Sequence, residues 1–307
     1  MIWLAEYFSL LRDFHMSENK NTTAIVLLLL LSLIWGTSFI LIKQGLKVFS
    51  PDEVGALRVT AAALFLLPIA LTRIKEVPKE DYYKLLLSGL MGIFIPAFLF
   101  ATAQTNLNSS VAGILNTLSP VWTMIIGALL FGQRFRGYAV LGIIISFAGT
   151  ILLALSRSGN AITGINAYAL LIVLACALYG ANVNWLKFKV HNLSTLTITS
   201  VSILMIGPLG AIYLFGFSDF MVKMDTAPGA WEALGFIAIL ALMSTAVANL
   251  LFTKLLKIST PLFSSSVTYI MPIVAVMWGV LDGEKLQVGH FIGMAAMLGG
   301  VYLANKK

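Results

Sequence analysis

Aromatic and polar side chains lie within long apolar segments of this chain, where a polar group must find a partner or line a path. Trp35 and Tyr179 fall near the middle of two such segments, away from the interfaces where these residue types usually anchor a membrane helix. Two aromatic groups at that depth could wall a cavity, offering a stacking surface, an indole N–H and a phenol O–H. An ordinary packing contact, with those polar atoms bonded to a neighbouring helix, is the alternative, and both interpretations stay open.

Two prolines, Pro120 and Pro272, interrupt further apolar segments and are expected to kink them. Because proline has no N–H, the carbonyl group one helical turn before it loses its hydrogen-bond donor. This carbonyl belongs to Asn116 for Pro120 and to Thr268 for Pro272. Such carbonyls are tolerated at membrane depth where they line water or find protein partners, so these segments either face a cavity or carry purely structural kinks. The candidate solute-binding residues are Trp35, Thr37, Asn116, Ser119, Tyr179, Asn182 and Tyr269.

The basic residues closest to the apolar core are Lys43 and Arg58. Together with Gln104 they are the candidates for an outer vestibule, where Arg58 could attract a carboxylate or phosphate group of a solute. The alternative for Arg58 is a structural ion pair with Asp52 or Glu53. All 13 acidic residues fall in predicted loops or at helix ends, so no buried carboxylate is at hand to exchange protons for a cationic drug. A zwitterionic, anionic or neutral solute is therefore expected.

No catalytic motif accompanies these residues. The chain contains no HExxH, GxSxG or P-loop sequence and no cysteine and histidine spacing typical of a metal site. The single cysteine, Cys176, excludes a disulfide framework within the chain. The sequence therefore predicts a protein that is not an enzyme and that holds neither a metal ion nor a cofactor.

The elements that position these residues are predicted to be membrane helices. The 307 residues are 59% hydrophobic and 11% charged, whereas soluble domains carry roughly 25% charged residues. Apolar runs of about 20 residues match the thickness of a bilayer at a helical rise of about 1.5 Å per residue. The fold class is accordingly an all-α integral membrane protein. Ten spans are predicted, near residues 23–44, 51–72, 83–104, 109–131, 137–155, 166–186, 195–216, 231–253, 261–281 and 287–304.

Basic residues predict the orientation of these spans. With the first span leaving the cytoplasm, most of the 20 basic residues lie in cytoplasmic segments, in agreement with the positive-inside rule. Both termini are then cytoplasmic, and the expected location is the cell (inner) membrane, with the lipid bilayer as a partner and no nucleic acid. Residues 1–22 form either an interfacial helix or an upstream extension that is not translated, with Met16 as the start.

An internal repeat divides the chain. The segment WGTSFILIK, residues 35–43, aligns with YGANVNWLK, residues 179–187, through its aromatic residue, its glycine and its lysine, at a spacing of 144. The chain is therefore interpreted as two five-helix units, 23–155 and 166–305, joined by a polar connector at 156–165. Because five is odd, the second unit enters the membrane from the opposite side. This arrangement gives inverted-topology repeats, which permit alternating access.

Several motifs within the repeat are characteristic when taken in order. They are LSLIWGTSFILIKQGL and ALYGANVNWLK, the proline-containing NTLSPVWTMIIGALLFGQRF and SVTYIMPIVAVMWGVLDGEKL, and the terminal GMAAMLGGVYLA. From about Thr23 to Lys307 the chain resembles the two tandem units of the EamA family, in the drug/metabolite transporter superfamily.

The resemblance implies a ten-helix basket with a central cavity. Its expected activity is the movement of a small organic solute, often outward, such as an amino acid or a related metabolite. One alternative is a nucleotide-sugar or other metabolite exchanger of the same superfamily, and a second is a membrane scaffold that transports nothing. The expected assembly is a monomer or a homodimer.

Overall fold

The computed structural model describes residues 2–107, 109–157, 167–190 and 192–281, together with residues 292, 295, 296, 299, 300, 302 and 303. All the regular elements within these residues are helical, so the all-α prediction is confirmed for them. Nine long helical stretches follow one another in the described part of the chain. They are α1 Ile2–Gly45, α2 Pro51–Arg73, α3 Lys79–Ala103, α4 109–131, α5 Gly137–Arg157, α6 Ala167–Lys189, α7 Thr195–Gly216, α8 Ala230–Ile258 and α9 261–281.

Eight of these stretches contain a segment long and apolar enough to cross a membrane. For α5 the fully described residues Gly137–Gly149 form a shorter apolar helix. The predicted tenth span, 287–304, lies largely outside the described residues, so the number ten stays a prediction. The predicted boundaries of the eight agree with the structure within a few residues, apart from α1, which begins at Ile2 and joins residues 2–22 to the first span in one helix. The chain is a multi-pass membrane protein.

Local sequence signals explain where α2 begins. The Ser50 hydroxyl accepts a hydrogen bond from the Glu53 amide at 3.3 Å, and the Ser50 amide donates to Glu53 Oε2 at 2.7 Å. Pro51 occupies the first helical turn, where its missing N–H costs nothing. The short helix Phe220–Thr226, between α7 and α8, places Lys223 Nζ 2.5 Å from Glu53 Oε2. Glu53 is therefore paired with Lys223 in this structure.

Two helices contain a π-helical segment within the apolar region. In α3 the segment Leu90–Phe94 is a π-helix, and in α8 the segment Leu240–Val247 is one too. These helices occupy equivalent places in the internal repeat predicted from the sequence. A π-helical segment widens one turn and redirects the side chains that follow it. The segment of α3 contributes residues to the cavity described below, and the segment of α8 bonds two of the residues that line it.

The helices pack crosswise between the two halves of the chain. Helix α1 packs on α8 and α9, α6 packs on α3 and α4, and α2 packs on α7. Glycines permit the closest of these approaches, since a Cβ atom added to Gly36 would lie 2.6 Å from Val274 Cβ, and one added to Gly180 would lie 2.7 Å from the Thr123 amide nitrogen. Gly36 and Gly180 are the two glycines that the repeat alignment matched.

Each end of the bundle is closed by a different set of contacts. At the end where α2 begins, an apolar cluster that includes Phe49, Phe220 and Ile237 lies beside the Glu53–Lys223 ion pair. At the opposite end, the ammonium groups of two lysines cap backbone carbonyls of neighbouring segments: Lys187 Nζ donates to Leu256 O and Ser259 O, and Lys257 Nζ donates to Leu193 O. The space between these two ends is occupied in part by a cavity.

Candidate functional site

A cavity of about 110 Å³ lies among the helices of both halves. Five of the seven predicted solute-binding residues line it together: Trp35 from α1, Asn116 and Ser119 from α4, and Tyr179 and Asn182 from α6. Trp35 lies ten residues before the end of α1 and Tyr179 ten residues before the end of α6. Each is therefore about 15 Å from its helix end, which is half the thickness of an apolar bilayer core of about 30 Å.

Trp35 is held by the π-helical segment of α8. Its indole Nε1 donates to the Ser244 carbonyl oxygen at 2.8 Å, and the Ser38 hydroxyl, one turn further along α1, lies 2.6 Å from the Ser244 hydroxyl. The indole ring also meets the Phe252 ring at a centroid distance of 5.3 Å. The polar atom of Trp35 is thus satisfied by a neighbouring helix, and its ring face contributes to the cavity wall.

Arg58 also lines the cavity, from about 10 Å within α2. Its Nε donates to Thr245 Oγ1 at 2.7 Å, so the same π-helical segment orients both Trp35 and Arg58. The alternative partners proposed from the sequence are not used, because Glu53 pairs with Lys223 and no ion pair joins Arg58 to an acidic group among the residues that the structure describes.

Tyr179 stands on the α6 side of the cavity. Its ring stacks on that of Phe100, with centroids 6.1 Å apart and planes inclined by 24°. Its hydroxyl accepts no hydrogen bond and donates none within the described part of the chain, and it lies within electrostatic range of the Arg58 side chain. The hydroxyl is therefore available to a solute.

Asn116 and Ser119, the two polar lining residues of α4 named above, lie in the turn that precedes Pro120. A turn of 3₁₀-helix, Asn116–Leu118, precedes the helix that Ser119 and Pro120 begin. The carbonyl oxygen of Asn116 accepts from the Ser119 hydroxyl at 2.8 Å and from its backbone N–H. The carbonyl that the proline was expected to free is thus satisfied locally, and the Asn116 amide nitrogen contacts Met271 Sδ at 3.7 Å.

Asn182 lies against Gly92 of α3 in the cavity wall. Its Oδ1 has no hydrogen-bond partner among the described residues, and neither has the hydroxyl of Ser202 on α7. Both residues line the cavity, as does Gly92 in the π-helical segment of α3. A Cβ atom at Gly92 would collide with the Asn182 amide nitrogen, so glycine is what lets this amide reach the wall.

The remaining predicted site residues do not line the cavity. Thr37 faces away from it, where its hydroxyl donates to Leu33 O at 2.9 Å and accepts from Trp278 Nε1 at 2.9 Å. Tyr269 is fully buried among other side chains, and its hydroxyl has no partner in the described residues. The lining also excludes Lys43, Gln104, Pro120 and Pro272. Lys43 is exposed, Gln104 is half-buried, and Pro272 lies inside the helical segment Val267–Leu281.

The profile of the EamA-like transporter family matches residues 22–155 and again residues 166–306. The chain belongs to the EamA-like transporter family. The two matches make it a protein of two tandem EamA units, and the resemblance inferred from its motifs is confirmed.

Relatives of this EamA-family protein span nearly its whole length. It is 26% identical to an uncharacterized transporter of Archaeoglobus fulgidus over 89% of this chain and 95% of that protein. It is 27% identical to the uncharacterized inner membrane transporter YedA of Escherichia coli, over 90% of this chain and 88% of YedA. A solved crystal structure that is 20% identical superposes with a TM-score of 0.69, over 92% of this chain and 96% of that one, which shows a shared fold. Membership of this family makes the protein a membrane transporter.

Sequence reasoning missed several residues that line the cavity or hold the residues that line it. The π-helical segment of α8 supplies Ser244 and Thr245, which hold Trp35 and Arg58, and α7 supplies Thr199 and Ser202 to the lining. The available signal was the presence of hydroxyl residues, such as the adjacent Ser244 and Thr245, within otherwise apolar spans. Hydroxyls are also common as packing groups between membrane helices, so that signal alone does not single out a site.

Proposed function

We propose that this protein carries a small organic solute across the cell membrane by alternating access around the described cavity. The observation that supports this best is the joint placement of Trp35, Arg58, Asn116 and Tyr179, from four helices in both halves of the chain, on one cavity at mid-membrane depth. Transporter sites concentrate at that depth between repeats. The family resemblance favours outward movement and a solute such as an amino acid or a related metabolite.

The proposal includes ten helices in two inverted units, 23–155 and 166–305, with both termini in the cytoplasm. Crosswise packing supports it. The first helix of each unit, α1 or α6, packs on the third and fourth helices of the other unit, and the second helices, α2 and α7, pack on each other. A pseudo-twofold axis in the membrane plane produces this pattern, and one unit rocking against the other would open the cavity to each side in turn.

The first test is transport by the purified protein alone. Proteoliposomes loaded with a mixture of amino acids, organic acids, nucleosides and sugars are expected to release one class of solute at a rate that saturates with internal concentration, and protein-free liposomes are expected not to. Saturation is the property that separates a carrier from a leak. Release equal to that of protein-free liposomes for every class would instead favour the scaffold, and exchange that requires a nucleotide sugar on both sides would favour the exchanger.

Inverted topology predicts opposite sidedness for equivalent loops. Asn106 follows α3 and is exposed, whereas Lys254 is exposed near the end of α8, the equivalent helix of the second unit. In intact cells, a membrane-impermeant maleimide is expected to label Asn106→Cys, whereas Lys254→Cys should react only after permeabilisation. The native Cys176 is buried, so the wild-type protein serves as the unlabelled control. Labelling of both variants from the same side would refute the inverted arrangement.

A further inference from the structure

The lining of the cavity carries one charged side chain among the residues that the structure describes, that of Arg58. Arg58 uses its Nε to donate to a neutral hydroxyl, Thr245 Oγ1. Its two terminal nitrogens donate to no group in the described part of the chain. A guanidinium at membrane depth without an acidic partner is costly, and it keeps its donors directed in a planar fork that fits a carboxylate.

We propose that the transported solute is an organic monocarboxylate of net charge −1, whose carboxylate binds the terminal nitrogens of Arg58. This inference rests on the proposed transport function, but it replaces the zwitterionic amino acid named there with a related metabolite that carries a net negative charge. The Tyr179 hydroxyl has no partner within the described residues, and Tyr179 lines the same cavity as Arg58, so this hydroxyl supplies a further donor to the carboxylate. The apolar part of the solute lies against the rings of Trp35 and Tyr179, which both face the cavity.

The charge of the lining favours a monocarboxylate over a phosphate monoester, a zwitterionic amino acid or a cation. One guanidinium neutralises one negative charge, whereas a phosphate monoester carries about −1.5 to −2 at neutral pH and would keep a second charge without a cation. A zwitterionic amino acid adds an ammonium group, and the described lining contains no carboxylate to pair with it. A cationic solute would meet Arg58 as a like charge, which disfavours binding.

The remaining polar groups of the wall suit a neutral second substituent. Asn182 Oδ1 and the Ser202 hydroxyl are buried without hydrogen-bond partners among the described residues. An unpaired buried polar group gains most from a ligand that completes its hydrogen bonds. A hydroxyl group on the carboxylate's carbon chain could donate to Asn182 Oδ1 or accept from the Ser202 hydroxyl, whereas a keto group could only accept, from Ser202.

Ligand-induced thermal stabilisation of the purified full-length protein tests the inference separately from transport, because a ligand that binds the folded state raises its melting temperature by mass action. The probes are two carboxylates and their neutral isosteres, acetate with acetamide and phenylacetate with phenylacetamide, together with phenethylamine and phenylalanine. Phenylacetate is expected to bind at least tenfold more tightly than phenylacetamide, phenethylamine or phenylalanine. No stabilisation by either carboxylate, or equal binding of a carboxylate and its amide, would overturn the inference.

Substitutions of Arg58 test whether this residue causes the preference for phenylacetate over phenylacetamide. Arg58→Gln is expected to bind phenylacetate and phenylacetamide with affinities within about threefold of each other, while Arg58→Lys retains part of the preference because it keeps the charge without the fork. Lys47→Gln removes an exposed positive charge near the end of α1 and is expected to behave as wild type. If Arg58→Gln fails to fold, Arg58→Lys still tests the inference. A wild-type preference of Arg58→Lys for phenylacetate over phenylacetamide would contradict bidentate recognition of the carboxylate by Arg58.

Counterflow of radiolabelled phenylacetate into proteoliposomes completes the experiment. Carboxylate binding that depends on Arg58 without any counterflow would contradict the transport function and leave the anion site standing. Saturable transport of a neutral or zwitterionic solute that Arg58→Gln does not impair would contradict the anion inference and leave the transport function standing. Counterflow that Arg58→Gln abolishes and Lys47→Gln preserves is the expected result.

Discussion

Gly180→Val is expected to leave little folded protein. A Cβ atom at Gly180 would lie 2.7 Å from the Thr123 amide nitrogen and 2.7 Å from the Trp122 carbonyl carbon, and both are backbone atoms of α4. Backbone cannot swing aside as a side chain can, so α4 and α6 would have to separate where they pack most closely. Overpacking of this kind costs about 1 to 3 kcal/mol and occasionally more, and contact with backbone places this substitution at the upper end. The measurement is the yield of monodisperse protein in detergent and its melting temperature.

Gly235→Val is the matched control for this substitution. Gly235 lies in helix α8, and a Cβ atom there would meet no other atom within 4 Å, so its variant is expected to fold as the wild type does. Gly36→Val should resemble Gly180→Val, because its Cβ would approach the Met271 carbonyl oxygen at 3.0 Å as well as Val274. Normal yield and melting temperature of Gly180→Val would contradict the close approach of α4 and α6.

Trp35→Ala is expected to lower transport by at least tenfold per folded molecule. The substitution removes the indole face from the cavity and the hydrogen bond from Nε1 to the Ser244 carbonyl. An aromatic contact contributes about 0.5 to 1.5 kcal/mol beyond the burial of its area, and about 1.4 kcal/mol already corresponds to a tenfold change in affinity. Stability should fall less, because Trp35 borders space that is already open. Initial rates at several solute concentrations, divided by folded yield, give the comparison.

Trp231→Ala provides the control, since Trp231 is 75% exposed at the start of α8 and lies outside the cavity lining. Its variant is expected to transport normally. Trp35→Phe retains a ring but loses the hydrogen bond to Ser244, and it should fall between Trp35→Ala and the wild type. Equal losses of transport and of folded yield in Trp35→Ala would return Trp35 to an ordinary packing role.

Parts of the fold and of the site followed from sequence because their physical cause is local or compositional. Eight spans were predictable from the length of apolar runs, which must match the bilayer. The beginning of α2 followed from Ser50, Pro51 and Glu53, whose capping interactions involve only neighbours in sequence. The pairing of Trp35 with Tyr179 followed from the repeat, since equivalent positions in two units are brought to equivalent depths, and both residues line the cavity.

Tertiary structure alone determines which side chains of those spans point into the cavity. Thr37 follows Trp35 by two positions, which is about 200° or slightly more than half a turn of the helix, and it bonds Trp278 on the far side of α1. In a soluble helix the alternation of polar and apolar residues reveals the inner face. Membrane helices are apolar on both the lipid side and the packed side, so this pattern is too weak to distinguish Thr37 from Ser38, or Tyr269 from the neighbouring Thr268 that lines the cavity.

The eight spans found among the described residues and the repeated motif were thus determined by the sequence, because the length and hydropathy of an apolar run do not depend on what lies across the bundle. The partner of Arg58 was not. Asp52 and Glu53 are its neighbours in sequence, yet the guanidinium bonds Thr245, which lies 187 positions away. Thr245 belongs to a π-helical segment that the apolar sequence of α8 does not predict. Such a contact exists only once two helices from different units have packed, and it is this packing that turns isolated polar residues into one site.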